Sequence, residues 1–273
     1  MPSLEPSPGP DGFDAAWSVA SEIEGWLSRE QGLALFEAAH SVEPGDWIVE
    51  IGSHHGRSTV VLGAGATEAS GVLAIDPFLD PPLGRGDAAC EALVDNLRGA
   101  GLADRVHVFR GTSEQAAECC DLLLEVAGGK PAVAREGVVG IGPKVPGPAS
   151  VGLVFVDGLH DRNSVLRDAE LWEARVAEDG RVYFHDAFFR VGVTLALLQR
   201  HLLDYRFVYL GSVGNLAMFR RQPVVGNKAA VRSSLRLLAR LGYFGRNMLT
   251  TLALRRNWRT LLKVFPPEED FEY

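Results

Sequence analysis

Only three cysteines occur in the 273 residues: Cys119 and Cys120 are neighbours, and Cys90 stands alone. That is too few for a disulfide framework, and the spacing suits no metal site. They read as small buried hydrophobes in a reducing compartment, so a cytoplasmic location is expected. No apolar run is long enough to span a bilayer. The opening Met1-Pro2-Ser3-Leu4-Glu5 has neither the basic nor the apolar stretch of an export signal. Positive charge is also scarce. The net charge of -8 argues against nucleic acid as a general partner. Two phosphate-binding signatures, G-x-G-x-x-G and G-x-x-x-x-G-K-[ST], are absent.

A different corner is present. Trp47 to Ile51 is a short apolar run with β-branched residues, bounded by Pro44-Gly45-Asp46 and Gly52. It reads as a buried parallel strand. Gly52 and Gly56 lie four apart, and Ser58-Thr59-Val60-Val61-Leu62 opens a helix. Strand, glycine turn and helix form the ligand-binding corner of a doubly wound α/β fold. Glycines let backbone approach a ligand, and the helix start offers unpaired N–H groups. The strand ends in Glu50, and the next predicted strand, Gly71 to Asp76, ends in a second acid. A carboxylate there accepts from both hydroxyls of a ribose. A negative first loop repels pyrophosphate and tolerates a cation.

The remaining pattern extends this scheme. Residues 1–11 are rich in Pro, Ser and Gly and read as a loose arm. Helical spacing follows over Phe13–Trp26, and Ser28 with Gln31 forms a capping box for Arg29–His40. Beyond the corner come a helix over Ala88–Gly99 and a strand over Arg105–Arg110. Thr112 or Ser113 caps a helix to Ala127. Residues 128–150 are a glycine- and proline-rich surface insertion, with a substrate lid as the alternative. A strand over Val151–Val156, a helix over Asn163–Val176 and a turn at Glu178-Asp179-Gly180 follow. Next come a strand over Arg181–Phe184 and a helix over Phe188–Leu203. The short Gly211–Gly214 link makes the last strands, Tyr205–Leu210 and Asn215–Arg220, an antiparallel pair. The expected fold is α/β, a doubly wound, mostly parallel seven-stranded sheet with an antiparallel last strand and extra helices at both ends. Three parts are expected: residues 1–41, an arm and two helices; 42–222, the ligand-binding domain; and 223–273, a basic helical extension.

Chemistry-bearing residues gather at predicted strand ends. Asp157-Gly158-Leu159-His160-Asp161 follows one strand and His185-Asp186 the next. Ligands in open parallel sheets bind beyond such ends. A nearby His can take the proton of an alcohol, and a divalent cation can lower a hydroxyl's pKa. Asp157 and Asp186 are hard oxygen ligands suited to Mg²⁺. His54 and His55 read as walls of the ligand pocket. Asp168 and Glu170 read as a solvated helix face. Asp80 and Arg85 could touch a polar substrate.

Gly25-Trp26-Leu27-Ser28, the E-I-G-S-x-x-G-R-S-T run, D-G-x-H-D and the H-D pair together resemble class I S-adenosylmethionine-dependent methyltransferases. Within that class they look most like the macrocin O-methyltransferase type, which modifies sugars on natural products. The resemblance covers about residues 13–220. It implies S-adenosylmethionine as cofactor, held by Glu50, Gly52, Ser53, Gly56, Ser58, Asp76 and Asp157, with Thr112 and Ser113 near the adenine. It implies Asp157, His185 and Asp186 for Mg²⁺ or Mn²⁺, and His160 as base. His185 departs from the family, which tends to carry a carboxylate or amide there. An imidazole suits Mn²⁺ better than Mg²⁺, and His185 is the alternative base of a metal-free enzyme. A non-catalytic protein of the same fold, binding a nucleoside-like ligand or a partner, is the competing class. A related metal-dependent hydroxylase-like or catechol-type enzyme is a third.

The end of the chain differs in charge. Between Lys228 and Lys263 there are nine Lys or Arg and no acid. Residues 228–273 carry +5 and residues 1–227 carry -13. Arg232, Arg236 and Arg240 repeat every four residues, and Leu235, Leu238 and Leu241 share another arc. Two amphipathic helices result, the second over Met248–Val264. They can dock on the acidic body, form a homo-oligomer contact, or act as a peripheral foot on the inner membrane surface. The last suits a glycolipid acceptor.

Overall fold

The structure is a computed structural model that describes residues 10–79, 87–126, 138–139, 150–223 and 226–266. Most of the 128–150 insertion, with Asp80, Arg85 and nearly all of the expected N-terminal arm, lies outside the described residues.

Two helices, α1 (Pro10–Ala20) and α2 (Arg29–His40), precede the sheet. The capping box forms: the Gln31 N–H donates to Ser28 Oγ, and the Ser28 N–H donates to Gln31 Oε1 at 2.9 Å. The alternating part runs β1 (Trp47–Ile51), α3 (Arg57–Gly65), β2 (Val72–Asp76), α4 (Asp87–Gly99), β3 (Val106–Arg110) and α5 (Ser113–Val126). After the two-residue β4 (Val138–Val139) it continues with β5 (Val151–Val156), α6 (Arg162–Glu173), β6 (Val176–Phe184) and α7 (Val191–His201). The chain then forms the hairpin β7 (Phe207–Val213) and β8 (Leu216–Arg221), and ends in α8 (Asn227–Ala239), α9 (Leu241–Arg255) and α10 (Arg259–Val264).

Strand order is β4-β3-β2-β1-β5-β6-β8-β7. From β3 to β6 all pairs are parallel; β8 lies antiparallel between β6 and β7, and β4 antiparallel to β3. Setting the short edge β4 aside, this is the expected seven-stranded sheet. Strands are buried on both faces, as a parallel sheet between helices requires. Ile48, Leu153, Phe155 and Tyr183 pack toward α1 to α4, while Val49, Val154, Val182 and Phe184 pack toward α6 and α7. Chain direction across the sheet reverses between β1 and β5, which opens a crevice at their carboxyl ends.

Several boundaries differ from the sequence expectation: β7 runs on to Val213 through most of the expected Gly211–Gly214 link, and α6 ends at Glu173. Helix α1 stops at Ala20, because Arg57 draws the carbonyls of Ala20 and Ser21 to its guanidinium. Strand β6 absorbs the expected turn at Glu178–Gly180 as an irregularity, with Asp179 at φ 65°. Helix α7 begins only at Val191, because Asp186 and Phe188 hold positive φ and cannot continue a helix. The second tail helix starts earlier, at Leu241, and breaks where Asn257 turns to φ 53° before α10.

Candidate active site

The glycine corner is a close approach of two strand ends. The Asp157 N–H donates to the Ile51 carbonyl at 2.8 Å, and Gly52 has φ 89°. A Cβ at Gly52 would overlap the carbonyl group of Asp157 and lie 2.8 Å from the Gly158 nitrogen. Gly56, at φ 91°, is the N-cap of α3.

Glu50 is fully buried under this turn. Thr59 Oγ1 donates to its Oε2 at 2.5 Å, while its Oε1 and Ser53 Oγ are buried without a partner. Burial pushes the Glu50 carboxyl up to about 7; the neighbouring Ser58, Thr59 and Ser53 hydroxyls oppose this, and the Asp157 charge adds to it. Asp76, at the end of β2, accepts the N–H of His54 at 2.9 Å and that of Phe78 at 2.6 Å. Each oxygen keeps a second lone pair. The Trp26 ring lies 5.6 Å from that of His54, which stacks 3.9 Å from His55. The two histidines thus wall the corner from the side of the α1–α2 loop.

Beyond β5 and β6 a closed polar ring forms. His160 Nε2 lies 3.2 Å from Asp186 Oδ2 and 3.9 Å from Asp157 Oδ1. His185 Nδ1 lies 3.1 Å from Asp157 Oδ1, and its Nε2 3.3 Å from Gln31 Oε1. Gln31 donates to Asn215 Oδ1, and Asn215 Nδ2 donates to Asp186 Oδ1 at 2.9 Å. Exposure separates the two imidazoles: the His160 side chain is 40% exposed and that of His185 5%. Burial raises the Asp157 carboxyl, but the two imidazoles, His185 foremost, more than offset it and hold Asp157 below its ordinary value. The two imidazoles thus favour the anionic form of Asp157.

A family model described as a methyltransferase domain matches residues 49–187. The chain belongs to the methyltransferase-domain family. The match runs from β1 through the His185-Asp186 pair. Solved structures share the fold of this methyltransferase at low identity. An O-methyltransferase from Bacillus cereus in complex with SAH is 16% identical, with a TM-score of 0.50, 79% of this chain and 92% of that one covered. An SAH-bound methyltransferase from Podospora anserina is 15% identical, with a TM-score of 0.52, 79% and 89% covered.

Several expected residues of the methyltransferase come together: Glu50, Gly52, Ser53, Gly56, Ser58 and Asp76 around the corner, and Asp157, His160, His185 and Asp186 beside it. As expected, Thr112 caps α5, through Gln115, and the Ser113 hydroxyl donates to Asp168. Asp168 is not solvated but buried, and burial raises its carboxyl to about 6; only Glu170 faces water.

The expected metal set does not fit an ion as it stands. Among the described residues no group of three or more His, Cys, Asp or Glu side chains is arranged to hold one. Both His185 nitrogens face oxygen acceptors, and Asp186 is taken up by Asn215 and His160.

Three further residues build the site. Gln31 and Asn215 close the ring from α2 and the β7–β8 turn. Arg57, at the start of α3, donates to the carbonyls of Ala20, Ser21 and Gly25 and so pins the α1–α2 loop against the corner. The R in G-R-S-T was its signal.

Proposed function

We propose that this methyltransferase moves the methyl group of S-adenosylmethionine to a hydroxyl of a small polyhydroxylated acceptor, such as a sugar of a natural product or a glycolipid. The observation that carries this reading is His160, half-exposed beside the glycine corner and held by carboxylates. The corner fits the cofactor: Glu50 and Ser53 present orphaned buried oxygens, and Asp76 keeps lone pairs for the ribose hydroxyls. When bound, the sulfonium supplies the methyl group.

The chain's own residues then have distinct tasks. An alcohol is a poor nucleophile until its proton leaves. Asp186 accepts from His160 Nε2, which fixes the ring and leaves Nδ1 to take the acceptor's proton. Asp157 and Asp186 stabilise the resulting imidazolium. His185, held on both nitrogens, positions Asp157 rather than moving a proton. The three expected metal ligands are engaged with one another or with Asn215, Gln31 and His160, which leaves no ligand set open to an ion.

A screen of glycosides and other polyols with labelled S-adenosylmethionine tests the reading. Label should pass to an acceptor oxygen, with or without chelator. A chain that binds the donor but labels no hydroxyl compound would be the non-catalytic alternative, and loss of transfer in chelator would restore the metal.

Glu50 adds a pH signature. Its carboxyl is raised to about 7, so the free protein holds that proton and loses stability as pH rises from about 4.5 through 7. A cation bound beside it favours the carboxylate. Binding S-adenosylmethionine near neutral pH should therefore release a proton, and affinity should rise between pH 5 and 8. Calorimetry in buffers of different ionisation enthalpy measures this; no proton release would leave Glu50 outside the cofactor site.

A further inference from the structure

Helix α8 lies along the open edge of the sheet. The Tyr209 N–H donates to Ser233 Oγ at 2.8 Å, and Arg236 donates to the Leu210 carbonyl at 2.6 Å. The helix thereby satisfies backbone groups that an edge strand would leave open. Its inner face is small: Ala230, Ser233, Ser234 and Leu237 are buried. Its outer stripe, Val231, Leu235 and Leu238, is exposed, with Lys228 and Arg232 beside it. Helix α9 repeats the arrangement. Asn247, Thr250 and Ala253 face inward, and Leu249 and Leu252 face out. Arg255 and Arg256 follow, and Arg256 lies 5.4 Å over the ring of the exposed Trp258. Leu235 and Leu238 of the expected leucine arc are thus turned to solvent, while Leu241 is half-buried at the start of α9, and Arg236 and Arg240 donate to backbone carbonyls rather than to acids of the body.

We propose that the outer faces of α8 and α9 dock on an anionic lipid surface. Exposed leucines at helical spacing, flanked by cations and followed by a tryptophan, are the composition of an interfacial helix. Among the described residues no helix is long and apolar enough to cross a membrane, so the contact is peripheral. The stretch holds nine cations and no acid, on a body of charge -13. An anionic surface attracts the first and repels the second, which orients the molecule. A second copy is a poor occupant, because a two-fold interface sets a patch against itself and would oppose cation to cation.

The same helices reach the active-site loop. Asn247 Nδ2 donates to the Phe188 carbonyl at 3.1 Å. Arg240 lies 5.4 Å over the Phe188 ring and donates to the Gly214 carbonyl, next to Asn215. Docking therefore anchors the surface to the loop that carries His185 and Asp186. Resting on the proposed transfer, this names a hydroxyl on a lipid-borne headgroup as the acceptor class.

The test is co-sedimentation of the full chain with phosphatidylcholine vesicles, with and without phosphatidylglycerol. Truncation is unsuitable, because Ser233 and Arg236 hold the sheet edge. Binding should require phosphatidylglycerol and reverse at high salt. Arg232→Glu should weaken it by roughly fivefold for each unit of charge changed. Leu235→Asp with Leu252→Asp should abolish it, while the unfolding midpoint and S-adenosylmethionine affinity stay unchanged. No binding by the wild type, or binding that survives these substitutions, would overturn the proposal. So would light scattering that shows a dimer dissociated by Leu235→Asp. None of these readouts depends on methyl transfer, so the proposed function stands or falls separately.

Discussion

His160→Ala should lower kcat roughly 10²–10⁴-fold, the range for a lost general base, with S-adenosylmethionine affinity and thermal stability retained. Stability is spared because the side chain is 40% exposed and leaves no cavity in the core. The carboxylates of Asp157 and Asp186 remain, so the cofactor corner keeps its charge. The comparison is His185→Ala. That side chain is buried and bonded to Asp157 and Gln31, so its loss should lower the unfolding midpoint as well as the rate. Single-turnover rates with thermal melts separate the two. If His160→Ala turns over like the wild type, the base is elsewhere and the assignment fails.

Gly52→Ala should cost roughly 3 kcal/mol of stability and abolish cofactor binding. Two causes add: a side chain at φ 89° is strained, and its Cβ would overlap the Asp157 carbonyl. The strand ends must separate to admit it, which moves Asp157 away from His185. Thermal unfolding with a cofactor titration measures both effects. Wild-type values in the variant would show that the corner tolerates a side chain and is not the tight crevice described above.

Much of this was legible in the sequence where local pattern carries it. The Gly52–Gly56 turn, the acids ending β1 and β2, and the Ser28–Gln31 capping box are all short-range signals, and each is formed. The Asp157–His160 and His185–Asp186 pairs were legible because parallel strands put successive carboxyl ends on one side of the sheet. The ring that orients them was not: Gln31 meets His185 across 154 positions and Asn215 across 184. No local pattern encodes such pairings, since they depend on the sheet order bringing α2 and the β7–β8 turn to one place. For Asp168 the local signal is helical spacing. Val165, Asp168, Ala169 and Trp172 share one helical stripe, and all four are buried. The start of α7 was hidden for another reason: positive φ at Asp186 and Phe188, neither of them glycine, is imposed by the loop's tertiary bonds.

Calorimetric titration with S-adenosylmethionine, wild type against Asp76→Ala, tests the central claim most directly. The carboxylate at the end of β2 is assigned to the ribose hydroxyls, and a hydrogen bond to a charged group is worth about 1.5–3 kcal/mol. The wild type should bind at one site, and Asp76→Ala should bind roughly 10–150-fold more weakly. No binding by the wild type, or equal affinity in the variant, would contradict the assignment of the glycine corner to this cofactor.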